Sequence, residues 1–201
     1  EVSTGYVEPE LNGFAHKILE NLFLGPMESC DSLAALQENG ITGIVNCCPK
    51  KCANHHSHEI EYCIVSVYDE AHAIIAPWLR PATQFIHRHV STEGGKCLVH
   101  CQYGVSRSAT VVIAYLMEYL HYSLEEAYII TKSHRPQVNP NEGFWGQLQT
   151  FEMQGLLSQK PLVVLPILRT LFDRIEAHLE ATGAQYPTLI VLEEAWLYLD
   201  H

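Results

Sequence analysis

A chain of 201 residues with 47% apolar side chains can fill one domain core, and no apolar run reaches the about 18 residues of a membrane helix. Twelve basic against 23 acidic residues give a net charge of −11, which excludes the electrostatic footprint of a nucleic-acid or anionic-membrane binder. Seven irregularly spaced cysteines, an odd number, suit a reducing compartment (cytoplasm or nucleus) better than a disulfide framework.

In chain order, apolar runs predict strands near 21–25, 42–46, 61–67 and 96–100. Helices are expected near 31–39, 78–92, 107–120, 124–134 and 141–157. Pro77 suits the first turn of its helix, and Ser123 followed by Glu126 reads as a capping box. Short strands alternating with helices indicate an α/β fold with a mostly parallel central sheet flanked by helices. Between the second and third strands, the segment 47–58 gathers Cys47, Cys48, Cys52, His55, His56 and His58. These are zinc-ligand types without a clean ligand spacing, so they read as half-buried cysteines and solvated histidines, and no metal or cofactor is assigned. From about residue 158 a new pattern begins: a helix near 166–181, a stop at Gly183, and a strand over Pro187–Leu192. The expected organisation is a domain over 1–157 and a C-terminal helix–strand appendage over 158–201.

The densest chemistry lies at His100-Cys101-Gln102-Tyr103-Gly104-Val105-Ser106-Arg107-Ser108. This segment joins the apolar run Cys97-Leu98-Val99 to a buried helical stretch beginning at Ala109, so it is a strand-to-helix turn. Backbone N–H groups in such a turn, with the helix N-terminus, form an anion site. A cysteine there becomes a nucleophilic thiolate, because its pKa drops from about 8.5 toward about 3.5–7.5 beside a helix N-terminus and a cation. Arg107 can hold two phosphate oxygens with one planar fork. Gly104 allows a sharp turn and close approach of backbone to ligand. Ser108 places a hydroxyl near the sulfur, where it stabilises the thiolate as a leaving group. His100 orients the loop, while Gln102, Tyr103, Gly104, Val105 and Ser106 form its substrate-binding interior. Cleaving a phosphate ester also needs an acid for the leaving oxygen. Asp69, after the run Tyr62–Val67, is the candidate, and Glu70 is the neighbouring alternative.

The loop resembles the signature of cysteine-dependent protein phosphatases, and its Ser-Arg-Ser ending resembles the dual-specificity branch. The likeness covers about 14–157 and includes Ile18–Gly25, Gly40–Asn46 and Arg135–Phe144 followed by Gln147-Leu148. It implies a general acid at Asp69 and an asparagine, Asn141, that supports the phosphate loop. Turn chemistry and helix capping by Asn139-Pro140-Asn141 remain an alternative for the latter. Tyr103 and Ser66 depart from the family pattern, which usually has a small residue and a proline there. Lipid-directed relatives carry lysines inside the loop and RNA-directed ones an asparagine before the arginine. Both are missing, which favours a phosphoprotein substrate. A disulfide from Cys101 to Cys47, Cys48 or Cys97 is a further candidate, protecting the thiolate against oxidation.

The tail resembles something else. Pro187–Leu192 followed by Glu193-Glu194-Ala195-Trp196 is similar to the acidic strand of conjugal-transfer secretion ATPases. The likeness covers about forty residues and lacks a Gly-x₄-Gly-Lys-Ser/Thr loop, so it implies no ATP hydrolysis. Two readings of the chain follow: a phosphatase acting on phosphotyrosine and phosphoserine/phosphothreonine, and a catalytically silent phosphoresidue-binding module. Retention of Cys101, Arg107 and Asp69 favours the enzyme. Neither nucleic acid nor membrane is expected as partner, and no oligomeric state is assigned.

Overall fold

A computed structural model describes residue 11 and residues 13–159. The helix and strand expected at 166–181 and 187–192, and with them the tail resemblance, lie outside the described residues. Five strands form one sheet: β1 (His16–Leu19), β2 (Leu22–Gly25), β3 (Ile41–Asn46), β4 (Glu61–Ile64) and β5 (Lys96–His100). Their order is β1-β2-β5-β3-β4; β1–β2 is antiparallel and every other pairing is parallel. Among the described residues there are five α-helices: α1 (Leu33–Glu38), α2 (Ala76–Val90), α3 (Arg107–Leu120), α4 (Leu124–His134) and α5 (Glu142–Gln159). β5 is therefore the middle strand, and its C-terminal end is where an α/β sheet presents ligand sites.

Burial explains why α3 can follow that strand. Every residue from Arg107 to Met117 is buried, so this helix is apolar nearly all round and fills the centre of the domain. It packs on β5 and β2 and between α2 and α4. α5 holds the assembly from the side with Phe144, Leu148 and Phe151, which recur at helical spacing and are all buried. Each such side chain contributes about 1.5–3 kcal/mol on leaving water. The same helix caps two others. Gln147 Oε1 accepts from the N–H groups of Ile75 (2.8 Å) and Ala76 (3.0 Å), and Glu152 Oε1 accepts from Leu124 N–H (2.6 Å). Those are orphan donors at the starts of α2 and α4. The Ser123–Glu126 capping box forms as expected, and Pro77 sits in the first turn of α2.

Several elements differ from the sequence expectation. The opening run is a hairpin, with a bulge between Lys17 and Leu19, and a short 3₁₀ turn (Met27–Cys30) precedes α1. The strand expected at 61–67 leaves the sheet after Ile64. Val65 N–H still bonds Asn46 O, but Val67 N–H turns back to Val65 O, freeing the Val67 carbonyl to accept from Arg107. The cysteines of the 47–58 segment are also more deeply placed than expected. Cys47, Cys48 and Cys52 are buried, while His55 and His58 are exposed. His56 is half-buried, with its Nε2 3.0 Å from Cys30 O, so two of the three histidines turn outward.

Candidate active site

The site starts at the end of β5. Cys101 is buried, with its Sγ accepting from Ser108 Oγ (3.1 Å) and from Gly104 N–H (3.2 Å). Burial pushes the thiol up. Hydrogen bonds from the Ser108 hydroxyl and from the Ser108, Val105 and Tyr103 backbone outweigh it, and hold Cys101 below the ordinary thiol range. The loop is wound so that its N–H groups converge on one sulfur, and they would equally converge on an anion placed above it.

That winding requires Gly104. Its φ is +65°, and a Cβ there would lie 2.5 Å from the Gly25 carbonyl carbon and 2.7 Å from the Arg135 guanidinium. Arg135 is fully buried and spends its donors on the outer side of the loop. Nε donates to Gly104 O (2.8 Å), Nη2 to Tyr103 O (3.0 Å) and Nη1 to Phe14 O (3.1 Å). Burial lowers its pKa to about 10, so it remains a cation at neutral pH. By holding the carbonyls outside, it leaves the N–H groups facing in. In the sequence Arg135 opens the Arg135–Phe144 stretch of the family resemblance, but it was assigned no role at the loop.

Arg107 is buried at the first turn of α3. Its Nη1 donates to Cys47 O (3.2 Å) and Val67 O (3.4 Å), and its Nε lies 3.5 Å from Asp69 Oδ2. The structure thus brings Cys101, Arg107, Ser108 and Asp69 together. Asp69 is fixed through its other oxygen, Oδ1, which accepts from Ser106 Oγ (2.7 Å) and Asn141 Nδ2 (2.9 Å). Ser106 stands at the N-cap position of α3 but makes no side-chain cap. Its hydroxyl serves Asp69 and accepts from Asn141 N–H (3.1 Å) instead, leaving the helix N–H groups for the sulfur. Asn141 does two jobs: its side-chain oxygen caps α5 at Phe144 N–H (2.9 Å), and its amide holds Asp69. It reaches the loop through its backbone. Glu70 Oε2 lies 3.1 Å from His72 Nε2 on the exposed surface.

The remaining loop residues divide. Gln102 lines the pocket, whereas Tyr103 is 67% exposed and accepts from Gln102 Nε2 (2.9 Å) on the outer rim. His100 lies beneath the loop, where burial depresses its pKa to about 4 and keeps it neutral. The open pocket above has a volume of about 170 Å³ and is lined by Asp69, Arg107 and Gln102, with Lys50, Lys51 and Tyr68. Lys50 stands over the Tyr68 ring at 4.2 Å. These lysines enter from the segment after β3, so the loop interior alone understated the positive charge at the mouth. All seven cysteines are free thiols, Cys47 and Cys48 near enough for Cys101 to raise them electrostatically.

The dual specificity phosphatase catalytic domain matches residues 22–154, most of the chain. The chain belongs to the dual specificity phosphatase family. It is 41% identical over 140 residues to dual specificity protein phosphatase 2 of Homo sapiens, covering 70% of this chain and 44% of that protein. It is 42% identical over 147 residues to dual specificity protein phosphatase 14 of Bos taurus, covering 73% of each. The chain thus spans less than half the length of one of these relatives. Solved structures agree on the phosphatase fold. Human DUSP28 superposes with a TM-score of 0.66 at 31% identity, over 75% of this chain and 98% of that one. A human tyrosine phosphatase-like serine/threonine/tyrosine-interacting protein gives 0.67 at 33% identity, over 71% and 97%.

Proposed function

We propose that this chain hydrolyses phosphotyrosine and phosphoserine/phosphothreonine in proteins through a phosphocysteine intermediate. The observation that carries the reading is the loop that turns the Ser108 hydroxyl and the Gly104 N–H onto the buried Cys101 sulfur, with Arg107 and Asp69 3.5 Å apart where the following helix begins. Cys101 Sγ attacks phosphorus as the ester oxygen leaves, and Asp69 donates the proton that oxygen needs. Arg107 and the loop N–H groups hold the three non-bridging oxygens as charge shifts among them. Water then attacks the phosphocysteine, Asp69 takes its proton, and the sulfur leaves as a thiolate stabilised by Ser108. In this scheme Ser106 and Asn141 are positioning residues that aim Asp69, and Arg135 positions the loop.

Lys50 and Lys51 at the mouth favour a substrate with acidic or further phosphorylated residues beside the reacting one. Seven free thiols suit a reducing compartment, cytoplasm or nucleus. No helix among the described residues is long and apolar enough to cross a membrane. The catalytic unit is placed within 1–157, and the tail over 158–201 is an appendage that takes no part in the chemistry.

The test is hydrolysis of an aryl phosphate under reducing conditions without added metal, by the full chain, by residues 1–157, and by Cys101→Ser. Turnover by the first two, reduced by about four orders of magnitude or more in the third, is expected. A folded, inactive wild type that still binds phosphopeptides would replace the enzyme with a silent binding module. Activity lost only on removing 158–201 would overturn the domain boundary.

A further inference from the structure

A second group of soft ligands lies beneath the catalytic loop and takes no part in the reaction above. Cys30 ends the 3₁₀ turn, Cys52 lies in the segment after β3, and His100 ends β5. They are far apart in sequence, yet one ligand atom from each lies within 4.8 Å of the other two. The Cys30 and Cys52 sulfurs are 3.5 Å apart, and the three residues are 1%, 6% and 0% exposed. His100 Nε2 is buried without a hydrogen-bond partner. An unpaired nitrogen of this kind costs about 1–3 kcal/mol, so its presence at a thiol pair calls for a ligand.

Thiol packing alone accounts for two sulfurs in contact but not for an imidazole nitrogen left unpaired beside them. Tetrahedral zinc accounts for both. With Zn–S bonds of about 2.3 Å and Zn–N bonds of about 2.0–2.1 Å, two sulfurs on one ion lie about 3.8 Å apart and a sulfur–nitrogen pair slightly closer. The observed spacings reach that geometry with small side-chain rotations. Two thiolates and a neutral imidazole also balance the charge of a divalent ion in a buried site.

We infer that Cys30, Cys52 and His100 form a binding site for a thiophilic divalent ion of the zinc class. Binding releases the thiol protons of the cysteines that ligate. The ion ties together three separate segments: the 3₁₀ turn before α1, the segment after β3, and the residue preceding the nucleophile. The site is distinct from Cys101 and does not rest on the phosphatase reading.

The test uses the full chain as Cys101→Ser, which removes the active-site thiol as a competing ligand, kept reduced with a phosphine. Cobalt(II) is titrated in and its absorption followed, then displaced with zinc(II). One equivalent is expected, with thiolate-to-cobalt charge-transfer and intense tetrahedral d–d bands, bleached by zinc, and a higher melting temperature in zinc. Adding Cys30→Ser or Cys52→Ser weakens the cobalt affinity at least tenfold, with folding of each checked by circular dichroism. A folded Cys101→Ser protein without these bands would sink the inference, whatever the second substitutions do. So would bands that persist unchanged in both double variants. A Cys30–Cys52 cross-link by non-reducing peptide mass spectrometry, with no metal bound by the reduced chain, would make the pair a redox couple instead.

Discussion

Two loops leave the C-terminal ends of adjacent parallel strands, and they are held in opposite ways. The loop after β5 is gripped from both sides: Ser108 and the backbone donors face its sulfur from within, and Arg135 takes its carbonyls from without. The segment after β3 is tied at its base by Asn46, with Arg107 Nη1 on Cys47 O. Asn46 donates to Cys52 O (2.8 Å) and Asn54 Oδ1 (2.9 Å), and accepts from Cys48 N–H (2.8 Å). The first loop has its donors aimed at an anion, which is what chemistry on phosphate requires. The second delivers side chains, Lys50, Lys51 and Cys48 to the pocket and Cys47 and Cys52 to the core. Preorganisation is concentrated where charge develops, and the neighbouring segment is left to set what fits.

If that contrast is right, the largest effects come from substitutions that act on the gripped loop. Asp69→Asn keeps the hydrogen bond acceptor for Ser106 and Asn141 but removes the transferable proton. Its kcat is expected to fall about 10²–10⁴-fold on alkyl phosphates, with a smaller loss on esters whose leaving group needs no proton. An equal loss on both would remove Asp69 from the acid role. Next comes Arg135→Met, which leaves the Gly104 and Tyr103 carbonyls without their donor, at a cost of about 1–3 kcal/mol for each buried group. A loop misplaced by about 1 Å loses about 10² in rate. Thermal unfolding should therefore show a lower midpoint and single-turnover kinetics a slower chemical step. A variant that is destabilised but fully active would make Arg135 a core residue only.

How these loops read in the sequence follows from how local their causes are. Cys101, Gly104, Arg107 and Ser108 lie within eight residues, so strand, turn and helix N-terminus were legible as one chemical unit. The capping box at Ser123 and Glu126 was equally local. Arg135 was not legible, because its partners Phe14, Tyr103 and Gly104 come from elsewhere in the chain. Nor was the placement of Lys50 and Lys51 at the mouth, which depends on the parallel pairing of β3 with β5. Asn141 combined two causes: capping of α5 was visible in Asn-Pro-Asn, whereas its hold on Asp69 needed the fold. The early exit of β4 has the same origin, since the Val67 carbonyl turns toward an arginine forty residues away.

Ser108→Ala sharpens the contrast within the gripped loop. Burial raises the Cys101 thiol, and the Ser108 hydroxyl is the first of the groups that bring it down. Its removal raises the thiol, so less thiolate is present on the acidic side. The profile of Cys101 alkylation against pH should move to higher pH, and the acidic limb of kcat/KM should move with it. A hydrogen bond to a charged group contributes about 1.5–3 kcal/mol, which corresponds to about a tenfold loss or more at acidic pH and recovery toward wild type in alkaline buffer. An unmoved alkylation profile would assign the thiolate to the backbone donors alone.

The smallest effect on chemistry is expected from the other loop. Asn46→Ala removes three hydrogen bonds that tie the segment after β3, one of them to a buried Cys48 N–H. Leaving such groups unpaired costs about 1–3 kcal/mol in stability. The Cys101 alkylation profile should not shift, because none of its donors comes from this segment. KM for phosphopeptides with acidic neighbours should rise, since Lys50 and Lys51 lose their anchored base, while kcat on a small aryl phosphate stays near wild type. The split between the two constants is the informative readout. A fall in kcat as large as that of Arg135→Met would mean that the contacts of Arg107 with Cys47 O and Val67 O transmit disorder from one loop to the other, and that the two are one unit.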